Sequence, residues 1–161
     1  MTVIVMGVVG AGKTTVGRLL AGRLGWQFAD ADDFHAPEKI EKIRSGVPLD
    51  DDDRQPWLER LHTQIVSWKE QREHAVLACS ALKEGYRRQL NIGAEIQFVY
   101  LKGSAALIAR RLRARPRHFA DEQILASQFA DLEEPENAIV ADIERSPEVI
   151  VAEIQSRLSL K

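Results

Sequence analysis

Residues 7–14 read Gly-Val-Val-Gly-Ala-Gly-Lys-Thr, which has the residue types and spacing of a phosphate-binding loop, G-x-x-x-x-G-K-[ST]. Glycines let the backbone turn tightly, so that successive N–H groups and the N-terminus of the next helix face phosphate oxygens. In such a loop Lys13 reaches the β and γ phosphates and assists catalysis, while the Thr14 hydroxyl ligates Mg²⁺. A glycine turn without a ligand is the alternative. The predicted nucleotide-binding residues are Gly7, Val8, Val9, Gly10, Ala11, Gly12, Lys13 and Thr14.

A cluster of carboxylates follows at residues 30–35, which read Asp-Ala-Asp-Asp-Phe-His. At the end of a strand, this cluster would lie where open α/β sheets bind their ligands. Phosphoryl transfer to an alcohol needs a group that orients the hydroxyl and accepts its proton, and we predict that Asp32 has this role. The alternative is that Asp32 and Asp33 cap the next helix. His35 either contacts a substrate or forms a local hydrogen bond, because a neutral histidine does both.

Four consecutive aspartates at residues 50–53 resemble a metal site. Consecutive carboxylates in a loop do not all converge on one ion, and such runs are commonly solvated, so we interpret this run mainly as surface. Arg54 follows the run, and a guanidinium binds carboxylates through two parallel hydrogen bonds. We therefore expect Arg54 to bind the acid group of a substrate. An ion pair with the neighbouring aspartates is the alternative.

Residues 110–118 read Arg-Arg-Leu-Arg-Ala-Arg-Pro-Arg-His and concentrate positive charge in a chain whose net charge is −2. In a nucleotide-binding protein this segment predicts a lid at about residues 115–121, whose arginines close on the phosphates and stabilise transition-state charge. Arg111 and Arg115 are four residues apart, so on one helix face both would reach the same anion and act in catalysis. The alternatives are a surface for RNA or another acidic partner, and a solvated helix face.

These candidate residues need a scaffold that brings distant segments together. Short apolar runs alternate with segments of helical period, which is the pattern of a parallel sheet covered by helices. We therefore predict an α/β fold, with a three-layer α/β/α arrangement typical of P-loop kinases and a five-stranded parallel sheet. The predicted strands are residues 3–6, 27–30, 75–79, 96–101 and 138–142.

Three helices follow from periodicity and from start and stop signals. Apolar residues at helical spacing over residues 16–24 predict a first helix that Gly25 ends. Another helix would carry Pro56 in its first turn, with its tryptophans packed in the core. Ser146 would cap the last helix.

Length and composition limit the other possibilities. A chain of 161 residues with 45% hydrophobic residues favours one domain, residues 1–161. The net charge of −2 argues against a protein that binds nucleic acids broadly. The single cysteine, Cys79, has no partner for an internal disulfide, and the N-terminus carries no signal or membrane segment. We therefore expect a cytoplasmic protein with no membrane partner.

Taken together, the motifs resemble the gluconokinase family of the shikimate kinase-like P-loop phosphotransferases. The resemblance runs through nearly the whole chain, and its most specific pieces are Cys-Ser-Ala-Leu-Lys at residues 79–83 and Pro-Trp-Leu at residues 56–58. The other pieces are residues 6–8, 30–35, 48–54, 86–87, 101–103, 111–119, 128–129, 132–133 and 135.

The resemblance implies transfer of the γ-phosphoryl group of ATP to O6 of D-gluconate, with Mg²⁺, in the cytoplasm and often by a dimer. It places Asp32 where related kinases hold the acceptor hydroxyl. Lys83 and Arg87 fall on the family's basic positions beyond the third strand, where they would bind the substrate carboxylate or the phosphates. For Arg87, a surface helix charge is the alternative.

The same resemblance bears on the metal. Ser80 stands where many P-loop proteins have an acidic Walker B residue. The magnesium shell would then consist of Thr14, water and either Asp30 or Asp32.

Four residues depart from the usual family pattern, namely Ala36, Lys39, Asp50 and Glu84. Each is expected near the sugar-acid side, where a changed charge would alter the choice of acceptor. Other functions that fit the motifs are a kinase for another acceptor, such as shikimate or a nucleoside monophosphate, and a nucleotide-binding module without catalysis. A nucleic-acid-binding module is a further alternative, which the net charge disfavours.

Overall fold

Five strands form the sheet of the computed structural model, which describes residues 1–116 and 118–160. They are β1 (Thr2–Met6), β2 (Gln27–Asp30), β3 (Ala75–Ala78), β4 (Ile96–Lys102) and β5 (Ile139–Asp142). All pairings are parallel, and the strand order is β2-β3-β1-β4-β5. The predicted strands are confirmed to within one residue at each end.

Strand β1 is fully buried and pairs with two neighbours at once. Val3 lies in register with Val76 of β3 on one side and with Gln97 of β4 on the other. The chain therefore leaves β1 at the point where the strand order reverses, which is where open parallel sheets bind ligands. The ends of β2 and β3 lie beside it.

Helices cover both faces of this sheet. They are α1 (Lys13–Leu24), α2 (Pro37–Arg44), α3 (Asp51–Glu70), α4 (Glu84–Leu90), α5 (Ala105–Arg113), α6 (His118–Asp131) and α7 (Pro147–Arg157), and a 3₁₀ turn (Ala31–Phe34) follows β2. Val3 and Val5 of β1 pack with α1, α5 and α7, whereas Ile4 and Met6 pack with α3 and α4. This alternation gives the predicted three layers, because successive side chains of a strand point to opposite faces. Within the described ranges, no helix is both long and apolar enough to cross a membrane.

The first and last helices agree with their sequence signals. Gly25 ends α1 in the left-handed conformation, with φ 66°, as expected for a glycine at a helix C-terminus. The Ser146 hydroxyl accepts a hydrogen bond from the Val149 N–H at 3.3 Å and caps α7.

Helix α3 begins earlier than predicted. Asp50 is its N-cap, and Asp50 and Asp53 each accept a hydrogen bond from the other's backbone N–H. The aspartate run is therefore the cap and first turn of a helix and not a loop, because carboxylates stabilise the positive end of the helix dipole. Pro56 lies inside the helix and not in its first turn, which corrects the prediction. Trp57 and Trp68 are buried, so their predicted packing in the core is confirmed.

Helix α5 ends at Arg113, and the chain then turns. Arg111 lies within the helix, but Arg115 lies beyond its end. The prediction that the two arginines share one helix face is wrong, because the helical period does not continue to Arg115.

Arg87 holds the loop after β3 against the loop after α6. It is 4% exposed. Its Nη1 donates to the carbonyl oxygens of Ala81 at 2.7 Å and Leu82 at 3.0 Å, and its Nη2 donates to the carbonyl oxygen of Glu133 at 2.8 Å. Arg87 is thus not the surface charge that was the alternative. Its donors are occupied by the backbone, which argues against the predicted contact with substrate.

We expect Arg87→Met to lower the free energy of unfolding by about 2–4 kcal/mol, because it removes the Arg87 donors of the Ala81 and Glu133 carbonyl groups and one of the two donors of the Leu82 carbonyl group. Urea unfolding measures this loss. Arg88→Met is the matched control on the same helix, where the side chain is 78% exposed, and it should change stability by less than about 0.5 kcal/mol. Equal stabilities of the two variants would contradict a structural role for Arg87.

Candidate active site

A cleft of about 210 Å³ opens at the carboxyl ends of β1, β2 and β3. The loop after β1, the carboxylates after β2, the start of α3 and one side of α6 form its walls. Of the predicted site residues, the structure brings nine to this cleft. They are Val9, Gly10, Gly12, Lys13, Thr14, Asp32, His35, Arg54 and Arg115, and Asp30 joins them as a candidate metal ligand.

The loop from Gly7 to Thr14 wraps around the start of α1. Gly10 and Gly12 have φ angles of 81° and 96°, which favour glycine. A Cβ atom at Gly10 would lie 2.8 Å from Cδ2 of Leu112, so this loop packs directly on α5. Val8 and Ala11 are buried beneath the loop. Gly12, Lys13 and Thr14 line the cleft, so the positive end of the α1 dipole, which suits anion binding, lies at the cleft.

Lys13 lies at the base of the cleft. Its Nζ donates a hydrogen bond to the carbonyl oxygen of Val8 at 2.9 Å. Desolvation lowers the pKa of the Lys13 ammonium, whereas the negative charges of Asp32 and Asp30 oppose this change. Lys13 thus lies between carboxylates and a carbonyl group, where its ammonium can also donate hydrogen bonds to a bound phosphate.

Asp30 makes two hydrogen bonds at one side of the cleft. One carboxylate oxygen accepts a hydrogen bond from the Thr14 hydroxyl at 2.8 Å, and the other accepts one from the Asp32 N–H at 3.0 Å. A hydroxyl beside a carboxylate suits Mg²⁺, which keeps several water ligands and needs few protein ligands. Consistent with a sparse site, the described ranges contain no group of three or more His, Cys, Asp or Glu residues placed to hold a metal ion.

Asp32 projects into the cleft one turn after β2. The residue is exposed overall, yet its position in the cleft lining partly desolvates the carboxylate. This desolvation raises the pKa of Asp32; the charge of Asp30 adds to the rise, and Lys13 opposes it. The N-cap of the 3₁₀ turn is Asp30, and that of α2 is Ala36. Neither Asp32 nor Asp33 is therefore the helix cap that was the alternative.

His35 forms a wall of the cleft. It is 9% exposed and stacks on Trp57, with 4.6 Å between ring centroids. Its buried Nδ1 has no hydrogen-bond partner among the described residues. Burial lowers the pKa of His35 to about 4, and the nearby charges of Arg54 and Arg60 contribute. The imidazole is therefore neutral near pH 7 and retains an unpaired polar atom.

Arg54 reaches the cleft from the first turns of α3 and is 8% exposed. Its Nη1 donates to the Tyr86 hydroxyl at 2.9 Å and to the Asp131 carboxylate at 3.0 Å. The partner is thus Asp131 of α6 and not one of the neighbouring aspartates. Nε and Nη2 of Arg54 donate no hydrogen bond within the part of the chain that the structure describes, so they can bind a carboxylate.

The other predicted basic residues do not line the cleft. Lys83 donates to Asp51 at 2.9 Å, and Nη2 of Arg111 donates to the carbonyl oxygen of Ile143 at 2.6 Å. Arg87 is occupied by the backbone, as described above. Arg115 does line the cleft, and its positive charge contributes to the lowered pKa of Lys13. Within the predicted lid, Arg117 lies outside the described residues.

The four departures from the family pattern also lie outside the cleft lining. Lys39 pairs with Asp53, Asp50 caps α3, and Glu84 pairs with Arg87. These side chains have local partners, so their charges are at least partly neutralised away from the cleft. The expectation that they alter acceptor choice stays a prediction, and any such effect would act from outside the cleft lining.

Sequence reasoning missed the contribution of α6 to this site. Its cleft-lining residues are Asp121, Ile124, Ser127 and Gln128. In the sequence, Gln128 belongs to one of the segments that resemble the family, but we predicted no role for its side chain. Gln128 lies seven residues after Asp121 and four after Ile124, so the sequence could have predicted that these three residues share one face of a helix.

Comparisons with known proteins agree with this geometry. The shikimate kinase family model matches residues 9–159. A probable gluconokinase from Xenopus tropicalis is 41% identical over an alignment of 180 positions, covering 100% of this chain and 95% of that protein. A gluconokinase from Gluconobacter oxydans (strain 621H) is 43% identical over 155 positions, covering 94% of this chain and 87% of that protein. The crystal structure of a gluconokinase from Sinorhizobium meliloti 1021 matches with a TM-score of 0.89 and 37% identity, covering 98% of this chain and 91% of that one.

The sequence matches therefore extend over the phosphate-binding loop, the carboxylate cluster and α6. The fold match extends over nearly the whole chain, so it includes all the walls of the cleft. The chain belongs to the gluconokinase family, within the shikimate kinase group of P-loop kinases.

Proposed function

We propose that this protein is an ATP-dependent gluconokinase, which transfers the γ-phosphoryl group of ATP to O6 of D-gluconate and forms 6-phospho-D-gluconate and ADP. The observation that carries this proposal is a single cleft that joins a phosphate-binding loop, a carboxylate at the end of β2 and a buried arginine with unused donors. The full-length similarity to gluconokinases supports D-gluconate as the acceptor.

The nucleotide phosphates lie against the backbone N–H groups between Gly10 and Thr14 in this proposal. The Lys13 ammonium has three N–H donors, so it keeps its hydrogen bond with the Val8 carbonyl oxygen and directs the other donors at the β and γ phosphates. Thr14 and Asp30, which are already hydrogen bonded to each other, would hold Mg²⁺ together with water. Bound Mg²⁺ supplies positive charge that offsets the charge of the transferred phosphoryl group.

The acceptor lies between Asp32, His35 and Arg54. The free donors of Arg54 bind the carboxylate of the sugar acid, and neutral His35 forms a hydrogen bond with a hydroxyl group. The Asp32 carboxylate orients the reacting hydroxyl and accepts its proton as the new O–P bond forms. A raised pKa suits Asp32 for this role, because it makes the carboxylate a stronger base.

Arg115 supplies positive charge on the open side of the cleft, near Lys13. We propose that residues 115–121 form a lid on a single kinase domain, residues 1–161, and that lid closure brings Arg115 onto the phosphates and excludes water. Cytoplasmic localisation and a homodimer remain part of the proposal, and both rest on the family resemblance. The predicted substrate-binding roles of Lys83 and Arg87 and the predicted catalytic role of Arg111 receive no support from their positions.

A kinase for a different small acceptor is the second candidate, because the same scaffold accepts unrelated alcohols. A coupled assay of ADP release with Mg²⁺ and ATP separates the two. The acceptors tested are D-gluconate, its stereoisomers, shikimate and nucleoside monophosphates. We expect turnover on D-gluconate, reduced at least about 100-fold in Lys13→Met. Turnover on another acceptor alone would contradict the substrate, and binding of ATP without any turnover would indicate a nucleotide-binding module.

Asp32→Asn tests the proposed base, because the amide keeps the shape of the side chain but accepts no proton. We expect kcat to fall about 10²–10⁴-fold while the affinity for ADP changes little. Asp33→Asn is the matched control, since Asp33 is adjacent but does not line the cleft, and its kcat should stay within about twofold. Near-normal turnover of Asp32→Asn would remove Asp32 from the reaction.

His35 makes stability depend on pH. Its folded-state pKa of about 4 lies below the unfolded value of 6.5, so between these values the unfolded chain binds a proton that the folded protein does not. Stability therefore falls as pH decreases through this window, by about 1–2 kcal/mol between pH 7 and pH 5. Urea unfolding at both pH values should show this extra loss in the wild type and in the surface control His62→Gln, but not in His35→Gln. The same loss in all three proteins would contradict a buried neutral His35.

A further inference from the structure

Gln128 of α6 contacts the phosphate-binding loop directly. Its Oε1 accepts a hydrogen bond from the Val9 N–H at 2.7 Å. A backbone N–H only donates, so the oxygen end of the side-chain amide must face Val9. This contact joins two segments that are 119 residues apart in the sequence.

The peptide group that Gln128 holds is also the one that holds Lys13. The Val9 N–H and the Val8 carbonyl belong to the same planar peptide unit. The Val8 carbonyl oxygen accepts hydrogen bonds from Lys13 Nζ at 2.9 Å and from the Ala11 N–H at 3.2 Å. A short chain of hydrogen bonds therefore runs from Gln128 through one peptide group to Lys13, and hydrogen bonds in such chains strengthen one another.

Helix α6 fixes the position of Gln128. Asp131 lies three residues later on the same helix and is paired with Arg54 at 3.0 Å. Just beyond the helix, the Glu133 N–H donates to the Leu82 carbonyl oxygen at 2.9 Å. Leu125, on the preceding turn, is buried in the core. Gln128 therefore projects from an anchored helix, and the contact with Val9 is part of the packed structure.

We propose that Gln128 is a positioning residue for Lys13, which acts by fixing the orientation of the Val8–Val9 peptide group. With this peptide fixed, the Val8 carbonyl oxygen keeps the lysine ammonium at the base of the cleft, where the phosphates bind. The inference rests on the proposed function in assigning phosphate binding to Lys13. Gln128 itself need not touch nucleotide or acceptor.

Gln128→Leu removes the acceptor of the Val9 N–H. We expect ADP, titrated with Mg²⁺ in a calorimeter, to bind about three- to tenfold more weakly, which corresponds to the loss of one hydrogen bond. In the ADP-release assay, kcat should fall about tenfold while KM for D-gluconate changes less than twofold. Gln123→Leu is the matched control, because Gln123 is exposed on the same helix. Unchanged ADP affinity in Gln128→Leu would overturn the proposal.

A double-mutant cycle with Lys13→Met tests whether Gln128 acts through Lys13. ADP is used up to millimolar concentrations, so that weakened variants still titrate. In the Lys13→Met background, Gln128→Leu should weaken ADP binding less than twofold. A full additional three- to tenfold loss would overturn the proposal, since Gln128 would then bind the nucleotide independently of Lys13.

The melting temperature of each variant is measured beside its titration, to show that the variant is folded. If Gln128→Leu does not fold, Gln128→Met replaces it. Methionine has a flexible unbranched chain of similar length, so it fills the same space. A wild-type protein that binds ADP but does not phosphorylate D-gluconate would contradict the proposed acceptor, while the ADP cycle would still decide the role of Gln128. A wild-type protein that does not bind ADP would overturn both.

Discussion

The parallel pairing of β1 with both β3 and β4 is the constraint on which the site depends. Because all five strands run in the same direction, their carboxyl ends lie at one edge of the sheet. The chain connections on the two sides of β1 run in opposite directions across the sheet. The loop after β1 therefore opens into a crevice, where open α/β sheets bind ligands. Asp30, at the end of β2, and Ser80, just after β3, reach the same crevice. The burial of β1 on both faces supports this arrangement, since any shift in register would move valines and isoleucines between two different cores.

Charge in the cleft is balanced by side chains of opposite sign held at short range. Asp30 uses both carboxylate oxygens, one for the Thr14 hydroxyl and one for the Asp32 N–H. Lys13 and Asp32 have pKa values shifted toward their neutral forms by desolvation, and each opposes the shift of the other. Highly charged phosphates would enter a site whose own charges are already largely compensated. The Lys13 ammonium would then bind phosphate through the donors that the Val8 carbonyl oxygen does not use.

The two buried arginines bind different partners because they lie in different places in the fold. Arg54 and Arg87 are 8% and 4% exposed. Arg87 gives its donors to carbonyl groups of two loops, whereas the hydrogen bonds that Arg54 donates within the described residues come from Nη1. Both also connect to the end of α6, Arg87 through Glu133 and Arg54 through Asp131. These contacts anchor the helix that carries Gln128, so the phosphate-binding loop and the start of α3 share one support.

The sequence alone determined the sheet, the phosphate-binding loop and the family, because these depend on local patterns. Short, mainly apolar runs mark β1, β3, β4 and β5, and the glycine spacing around Lys13 has few structural solutions. For the aspartates at residues 50–53, the sequence did not distinguish a solvated loop from the capped start of a helix, because both are rich in aspartate.

Only the tertiary structure decided which charged residues face the cleft. Arg54 and Arg87, or Arg111 and Arg115, are equivalent in sequence terms, and they differ only in the partners that distant segments bring to them. The role of α6 was hidden for the same reason, because the Val9–Gln128 contact joins residues 119 positions apart. Local patterns fix backbone conformation, whereas the partner of a long polar side chain depends on packing between elements that the sequence does not place side by side.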